Sequence, residues 1–217
     1  MNQADLSFVV VEGPIGVGKT ALARRLADTL NAELLPETVA PNPFLERFYQ
    51  DPRSGALPAQ LFFLFERAGQ LETLRQDDLF ATTRVADFLM EKDRLFADIN
   101  LNSEERALYE QIYARVSVDA PQPDLVIYLQ APVDVLRARL SQRGGELDAL
   151  IERSYLEQVN QAYARFFHAY DAAPLLIVNA ESIDPAYNTA DFNALLAEIL
   201  TVPRGRRFFN PVSSRTA

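Results

Sequence analysis

Residues Gly13-Pro14-Ile15-Gly16-Val17-Gly18-Lys19-Thr20 carry the spacing GxxxxGK[ST] in full. That spacing suits a phosphate. Glycines let the backbone curl until successive N–H groups converge on phosphate oxygens, and the start of the following helix adds partial positive charge. Lys19 would then reach the β- and γ-phosphates of ATP, and the Thr20 hydroxyl would meet Mg²⁺. A glycine-rich strand-to-helix turn with a helix-starting lysine is the plainer explanation. It does not account for all four fixed positions together with an apolar strand before them and an amphipathic helix after.

The loop does not say where the phosphate goes. Guanine-nucleotide switches need DxxG and NKxD, and neither string occurs. Other residues point to a small acceptor. Gln60, Phe63, Leu64 and Arg67 stand at i, i+3, i+4 and i+7 and share one helical face. An amide and a guanidinium with apolar surface between them suit a flat heterocycle, which needs walls for its ring and fixed polar groups for its edge. On spacing alone Gln60 equally suits a helix cap, and Arg67 a solvated surface. Glu37 follows a strand, where ligands of open parallel sheets gather, although a surface glutamate there is ordinary. Arg137, Arg139 and Arg143 lie on one later helix, and the last two project together. Gly144 and Gly145 follow as a hinge. Arginines closing over a γ-phosphate stabilise its transferring charge, yet a solvated helix face also carries such residues. His168, among Phe166, Phe167 and Tyr170, is expected to pack rather than to catalyse.

The elements that must hold these groups alternate. Short β-branched runs at 7–12, 32–35, 83–86, 125–129 and 175–178 predict strands. Helical patterns fall at 19–30, 58–75, 103–115, 133–143, 152–170 and 189–200. Strand–helix alternation predicts an α/β fold with a parallel sheet. The 217 residues suit one domain, and residues 203–217, basic and without periodicity, read as a mobile tail.

The formal charge of -9 disfavours a protein that grips nucleic-acid backbones. There is no cysteine, which excludes disulfides, thiolate metal sites and cysteine nucleophiles. No apolar run reaches the roughly 18 residues of a membrane span, and the start has no basic leader region. A cytoplasmic location is expected.

The stretches Glu12–Thr20, Pro36-Glu37-Thr38-Val39, Asn42-Pro43-Phe44-Leu45-Glu46-Arg47-Phe48-Tyr49 and Leu125-Val126-Ile127-Tyr128-Leu129-Gln130-Ala131 resemble the deoxynucleoside kinase family, most closely its bacterial type. The resemblance covers about residues 7–200. It implies a three-layer α/β fold with a five-stranded parallel sheet in the order 2-3-1-4-5, one domain over 1–202, and an arginine lid at about 137–153. It implies transfer of the ATP γ-phosphate to the 5′-hydroxyl of a deoxynucleoside, with a purine favoured and deoxycytidine next. By position in the family's motifs, Glu37 is the implied base, Gln60 the base-pairing amide and Tyr49 the group on the sugar 3′-hydroxyl. Arg67 is paired with Asp93 beside Phe63. Arg139 and Arg143 are the implied lid arginines, and Asp148, with Glu146 as rival, joins the 3′-hydroxyl. Thr20 and Asp87 are implied for Mg²⁺, the latter partly through water. A homodimer built on long helices is also implied.

Three departures stand out. Thr38 replaces a proline. Gly145 stands where a third lid arginine is common, with Arg153 as substitute. Asp87-Phe88-Leu89 replaces the Glu-Arg-Ser of most animal members, so the arginine's role near the 5′-oxygen must fall to another group. The alternatives are a nucleoside monophosphate kinase and a nucleotide-binding module without turnover. The first needs extra basic groups for an acceptor phosphate, and residues 41–64 offer only Arg47 and Arg53. The second would make the acceptor residues accidental.

Overall fold

Alternate residues of the strands feed two separate cores. Val9 and Val11 of β1 (Phe8–Glu12) point to one side with Ile127 and Leu129 of β4 (Leu125–Gln130) and Leu176 and Val178 of β5 (Leu175–Asn179). Val10, Val126, Tyr128, Leu175 and Ile177 point to the other. Strands buried on both faces explain why these runs are continuously apolar. The computed structural model describes residues 6–37, 42–76, 83–116, 121–201 and 205–211.

The first side is covered by α1 (Lys19–Leu30) and α8 (Thr189–Ile199), through Leu22, Leu26, Phe192, Leu195 and Ile199, and by Leu136 of α6 (Val133–Arg143). The second is covered by α3 (Pro52–Gln76), α4 (Lys92–Asn100), α5 (Ser103–Val116) and α7 (Arg153–Ala169). A stack of Tyr128, Tyr163 and Phe167 lies at its centre, with the Tyr128 and Phe167 rings 4.1 Å apart. The short α2 (Leu45–Gln50) packs on the start of α3, where a side chain in place of Gly55 would reach within 2.5 Å of the Phe48 backbone.

With β2 (Glu33–Leu35) and β3 (Arg84–Ala86), the sheet runs β2-β3-β1-β4-β5-β6, parallel throughout. The expected 2-3-1-4-5 order stands within it. The sixth strand, β6 (Arg206–Phe209), corrects both the strand count and the expected aperiodic tail. Its four residues are too few to declare a period. What holds it is the ladder to β5 and Arg206, whose guanidinium donates to the carbonyls of Phe167, His168 and Tyr170 at the end of α7. The remaining tail, residues 203–204 and 212–217, and also Thr38, lie outside the described residues.

Pattern reading began α3 at Pro58; the helix starts at Pro52 and keeps Pro58 inside. Pro52 occupies the first helical position, where its missing N–H costs little. The segments α2 and α4 were not anticipated. His168 is exposed on α7, not packed. No helix among the described residues is long and apolar enough to cross a membrane.

Candidate active site

The turn from β1 into α1 is pressed against its neighbours. Gly16 has φ +85°, and a Cβ there would lie 2.8 Å from Leu140 Cγ and 3.0 Å from the Leu136 carbonyl oxygen. At Gly13 it would lie 2.5 Å from the Leu129 carbonyl oxygen. Only glycine brings this loop so close to β4 and α6. Lys19 Nζ donates to the Gly13 and Pro14 carbonyls, at 2.8 and 3.3 Å. Burial, and then the charge of Lys92, lower its pKa. A cleft above the loop is lined by Gly16–Ala21, Arg139, Arg143, Asp184 and Tyr187.

A second, more apolar cavity adjoins it. Its walls include Leu45, Phe48, Phe63, Phe96 and Tyr155, and its polar groups are Lys19, Glu37, Tyr49, Gln60, Arg67, Lys92 and Asn100. Glu37 stands just beyond β2, with its N–H donating to the Asp87 carboxylate beyond β3. Arg67 Nε donates to Glu37 Oε1 at 3.1 Å, and another nitrogen pairs with Asp93. Lys92 Nζ lies 2.9 Å from the Glu37 carboxylate. Burial alone would push the Glu37 carboxyl up, but Lys92, Arg67 and Lys19 overcome it and hold the group well below the usual carboxylate range. Glu37 is therefore an anion at neutral pH.

Asp93 is fully buried and accepts from Gln60 Nε2, from Arg67 and, at 2.7 Å, from the Tyr109 hydroxyl. Gln60 Nε2 also donates to the Asp93 carbonyl at 2.9 Å. With its amide nitrogen committed twice, Gln60 presents its carbonyl oxygen to the cavity. Phe63 flanks Arg67, its ring centroid 5.2 Å from the guanidinium carbon.

At the rim, Arg143 grips Asp148 through two nitrogens, with Nε 2.6 Å from Oδ2. Asp148 belongs to the 3₁₀ turn Leu147–Leu150, which contacts α2 beneath Tyr49. Burial and then Asp148 push the Tyr49 hydroxyl up to about 12, so it remains a donor. Arg139 is held differently: it donates to the carbonyls of Val17, Ala180 and Ile183 at 2.8–3.0 Å. Arg137 is exposed. Arg153 is tied at the surface to Asp134 and Glu157, at 2.5 and 2.8 Å, outside the cleft.

The oxygens of Thr20, in the loop cleft, and Asp87, 1% exposed, are hard donors of the kind Mg²⁺ takes alongside water and phosphate. Among the described residues no three acidic or histidine side chains converge into a protein-only cage.

Sequence reading missed Glu12, Lys92, Tyr109 and Tyr163. The Glu12 carboxylate, with no exposure, accepts from the N–H groups of Gly13 and Leu89, both at 2.9 Å, and from the Tyr163 hydroxyl at 3.0 Å. A charge closing an otherwise apolar strand was the available signal. Nothing in the sequence marked Lys92 apart from its neighbour Asp93.

The family model for deoxynucleoside kinase matches residues 9–202. A deoxyguanosine kinase of Bacillus subtilis (strain 168) is 33% identical over 204 residues, spanning 92% of this chain and 98% of its own. A deoxyadenosine/deoxycytidine kinase of the same organism is 27% identical over 204 residues, spanning 90% and 93%. The solved structure of deoxyadenosine kinase from M. mycoides with bound dATP matches with a TM-score of 0.76 at 23% identity, over 89% of this chain and 98% of that one. That last likeness is one of fold.

Proposed function

We propose that this chain, which belongs to the deoxynucleoside kinase family, moves the γ-phosphate of ATP to the 5′-hydroxyl of a deoxynucleoside, a purine one first and deoxycytidine next. One observation carries the proposal: Lys19 lines both the phosphate-loop cleft and the apolar cavity that holds Glu37. A phosphoryl group leaving the loop would thus meet an alcohol in the cavity beside that shared lysine.

In this reading Glu37 orients the 5′-hydroxyl and takes its proton as the new O–P bond forms. A carboxylate held by two cations is a weak base. Phosphoryl transfer tolerates this, because its loose transition state asks mainly for alignment and charge stabilisation. Tyr49 and Asp148 would hold the sugar 3′-hydroxyl. Gln60 would accept from the edge of the base, with Phe63 against its ring and the Arg67–Asp93 pair fixing the pocket floor. Lys19 and Arg143 would meet the phosphates, while Arg139 braces the loop through the Val17 carbonyl. Thr20 and Asp87 would hold Mg²⁺, which would supply positive charge against the phosphates. A groove walled by Leu95, Ile99, Ala162 and Phe166 between α4 and α7 suits the homodimer contact.

The purine preference is supported by the 33% identity to a deoxyguanosine kinase, while the Arg67–Asp93 pair, which the resemblance associates with purine and deoxycytidine kinases alike, speaks against thymidine. ADP release with ATP and each of four deoxynucleosides, and their monophosphates, tests it. Purine deoxynucleosides should give the highest kcat/KM. Deoxycytidine or thymidine in first place would overturn the preference, and turnover of monophosphates alone would overturn the acceptor.

A further inference from the structure

Lys92 is 3% exposed and has no part in the mechanism above. A buried ammonium is costly unless paired. It sits between two carboxylates, 3.3 Å from Glu12 Oε1 and 2.9 Å from the Glu37 carboxylate. These contacts are unequal in kind. Glu12 is already served by two backbone N–H groups and the Tyr163 hydroxyl. Lys92 is therefore a secondary partner of Glu12 and a principal partner of Glu37.

A 5′-hydroxyl that donates to Glu37 competes with its two cations for the carboxylate oxygens. Arg67 is anchored on its far side by the buried Asp93. Lys92 keeps only the longer contact to Glu12, and its flexible stem lets the ammonium move. It also lines the cavity shared with Lys19. Lys92 is near enough to Lys19 that its charge, after burial, is the main influence lowering the Lys19 pKa. Two ammoniums so placed repel each other. They attract whatever anion passes between them, most strongly when charge spreads over the transferring oxygens.

We propose that Lys92 is a catalytic residue of the phosphoryl transfer, released from Glu37 by the incoming alcohol and presented to the 5′-oxygen and the γ-phosphoryl group opposite Lys19. The 5′-oxygen forms the new bond to phosphorus. The bond from phosphorus to the β,γ-bridging oxygen breaks, and ADP leaves with its electron pair. The hydroxyl proton goes to Glu37, and Lys92 stays protonated throughout. The assignment supplies the positive charge near the 5′-oxygen that the resemblance gives to an arginine, where this chain has the core residue Phe88. It rests on the reading of the cavity as a deoxynucleoside site.

The test compares wild type, Lys92→Met and Lys92→Arg in steady-state kinetics, with active sites counted by binding of a non-hydrolysable ATP analogue. Lys92→Met should lower kcat per active site on the order of 10²-fold, the scale of one lost transition-state charge contact. KM for ATP and for the deoxynucleoside should stay within about threefold, since the contact forms late. Lys92→Arg should recover part of kcat. A lysine that merely ties Glu12 to Glu37 predicts fewer active sites with unchanged kcat per site, and that result would overturn the assignment. If Lys92→Met does not fold, Lys92→Arg decides. A kcat reduced about tenfold with ATP binding intact supports the role, and wild-type kcat rejects it. Wild type inactive on every deoxynucleoside would instead sink the reading of the cavity.

Discussion

Arg67 joins two carboxylates that come from different layers of the fold: Asp93 at the start of α4, with no exposure, and Glu37 beyond β2, at 24%. The inner contact is shielded from water and the outer one faces the substrate cavity. Each contact therefore fails differently. Removing one partner of a buried pair strands the other charge. Asp93→Ala should cost about 3–5 kcal/mol in urea denaturation and raise the KM for the deoxynucleoside, because Gln60 and Tyr109 lose their shared acceptor. A loss below about 1 kcal/mol, the size of an exposed pair, would show that the charge is not buried.

The outer contact bears on turnover. Glu37→Gln should lower kcat by orders of magnitude, roughly 10²–10⁴-fold for a lost base, while ATP binding measured by calorimetry persists. Equal turnover in the variant would remove Glu37 from its role.

The same carboxyl makes stability depend on pH. Its folded-state pKa is held below its unfolded value, which is near 4.3. The contribution is therefore fully present above about pH 4.3 and drains away as pH falls further. Urea midpoints of wild type and Glu37→Gln should differ most near neutrality and converge in acid. A gap that stays constant from pH 7 to 3 would rule out this linkage.

Arg139 and Arg143, four residues apart on α6, should separate by assay. Arg143 is exposed and, among the described residues, is tied to Asp148 at the rim, so Arg143→Ala should reduce kcat on the order of 10³-fold, as for a phosphate-facing arginine, with little change in melting temperature. Arg139 binds three backbone carbonyls. Arg139→Ala should therefore lower stability by about 1–3 kcal/mol and weaken ATP binding. Identical profiles for the two variants would overturn this division of roles.

Much of the site was legible because its chemistry is local in sequence. The loop from Gly13 to Thr20 is contiguous, and Gln60, Phe63 and Arg67 repeat with the helical period, so both could be read before any tertiary contact was known. What escaped was assembled across the chain. Glu12 and Lys92 are 80 positions apart and meet only because β1 lies beside β3 and α4 begins just beyond it. Arg139 looked like a lid residue by spacing, yet the three carbonyls that hold it come from two segments far from it in sequence, the glycine loop at Val17 and the stretch Ala180–Ile183. The strand β6 was invisible for a different reason. A four-residue edge strand borrows its order from the neighbour it pairs with, and its own residues, alternately half-buried and exposed, carry little signal.

That sixth strand also guards its neighbour. While Arg206–Phe209 is in place, β5 is an interior strand with both sets of backbone groups engaged. Cutting the chain before Gly205 would leave a strand whose first four residues, Leu175–Val178, are all apolar as the open margin of the sheet, ready to pair with another molecule. A shortened version made for convenience would thus trade a few surface residues for a sticky border, and turbidity on concentration would be its first symptom.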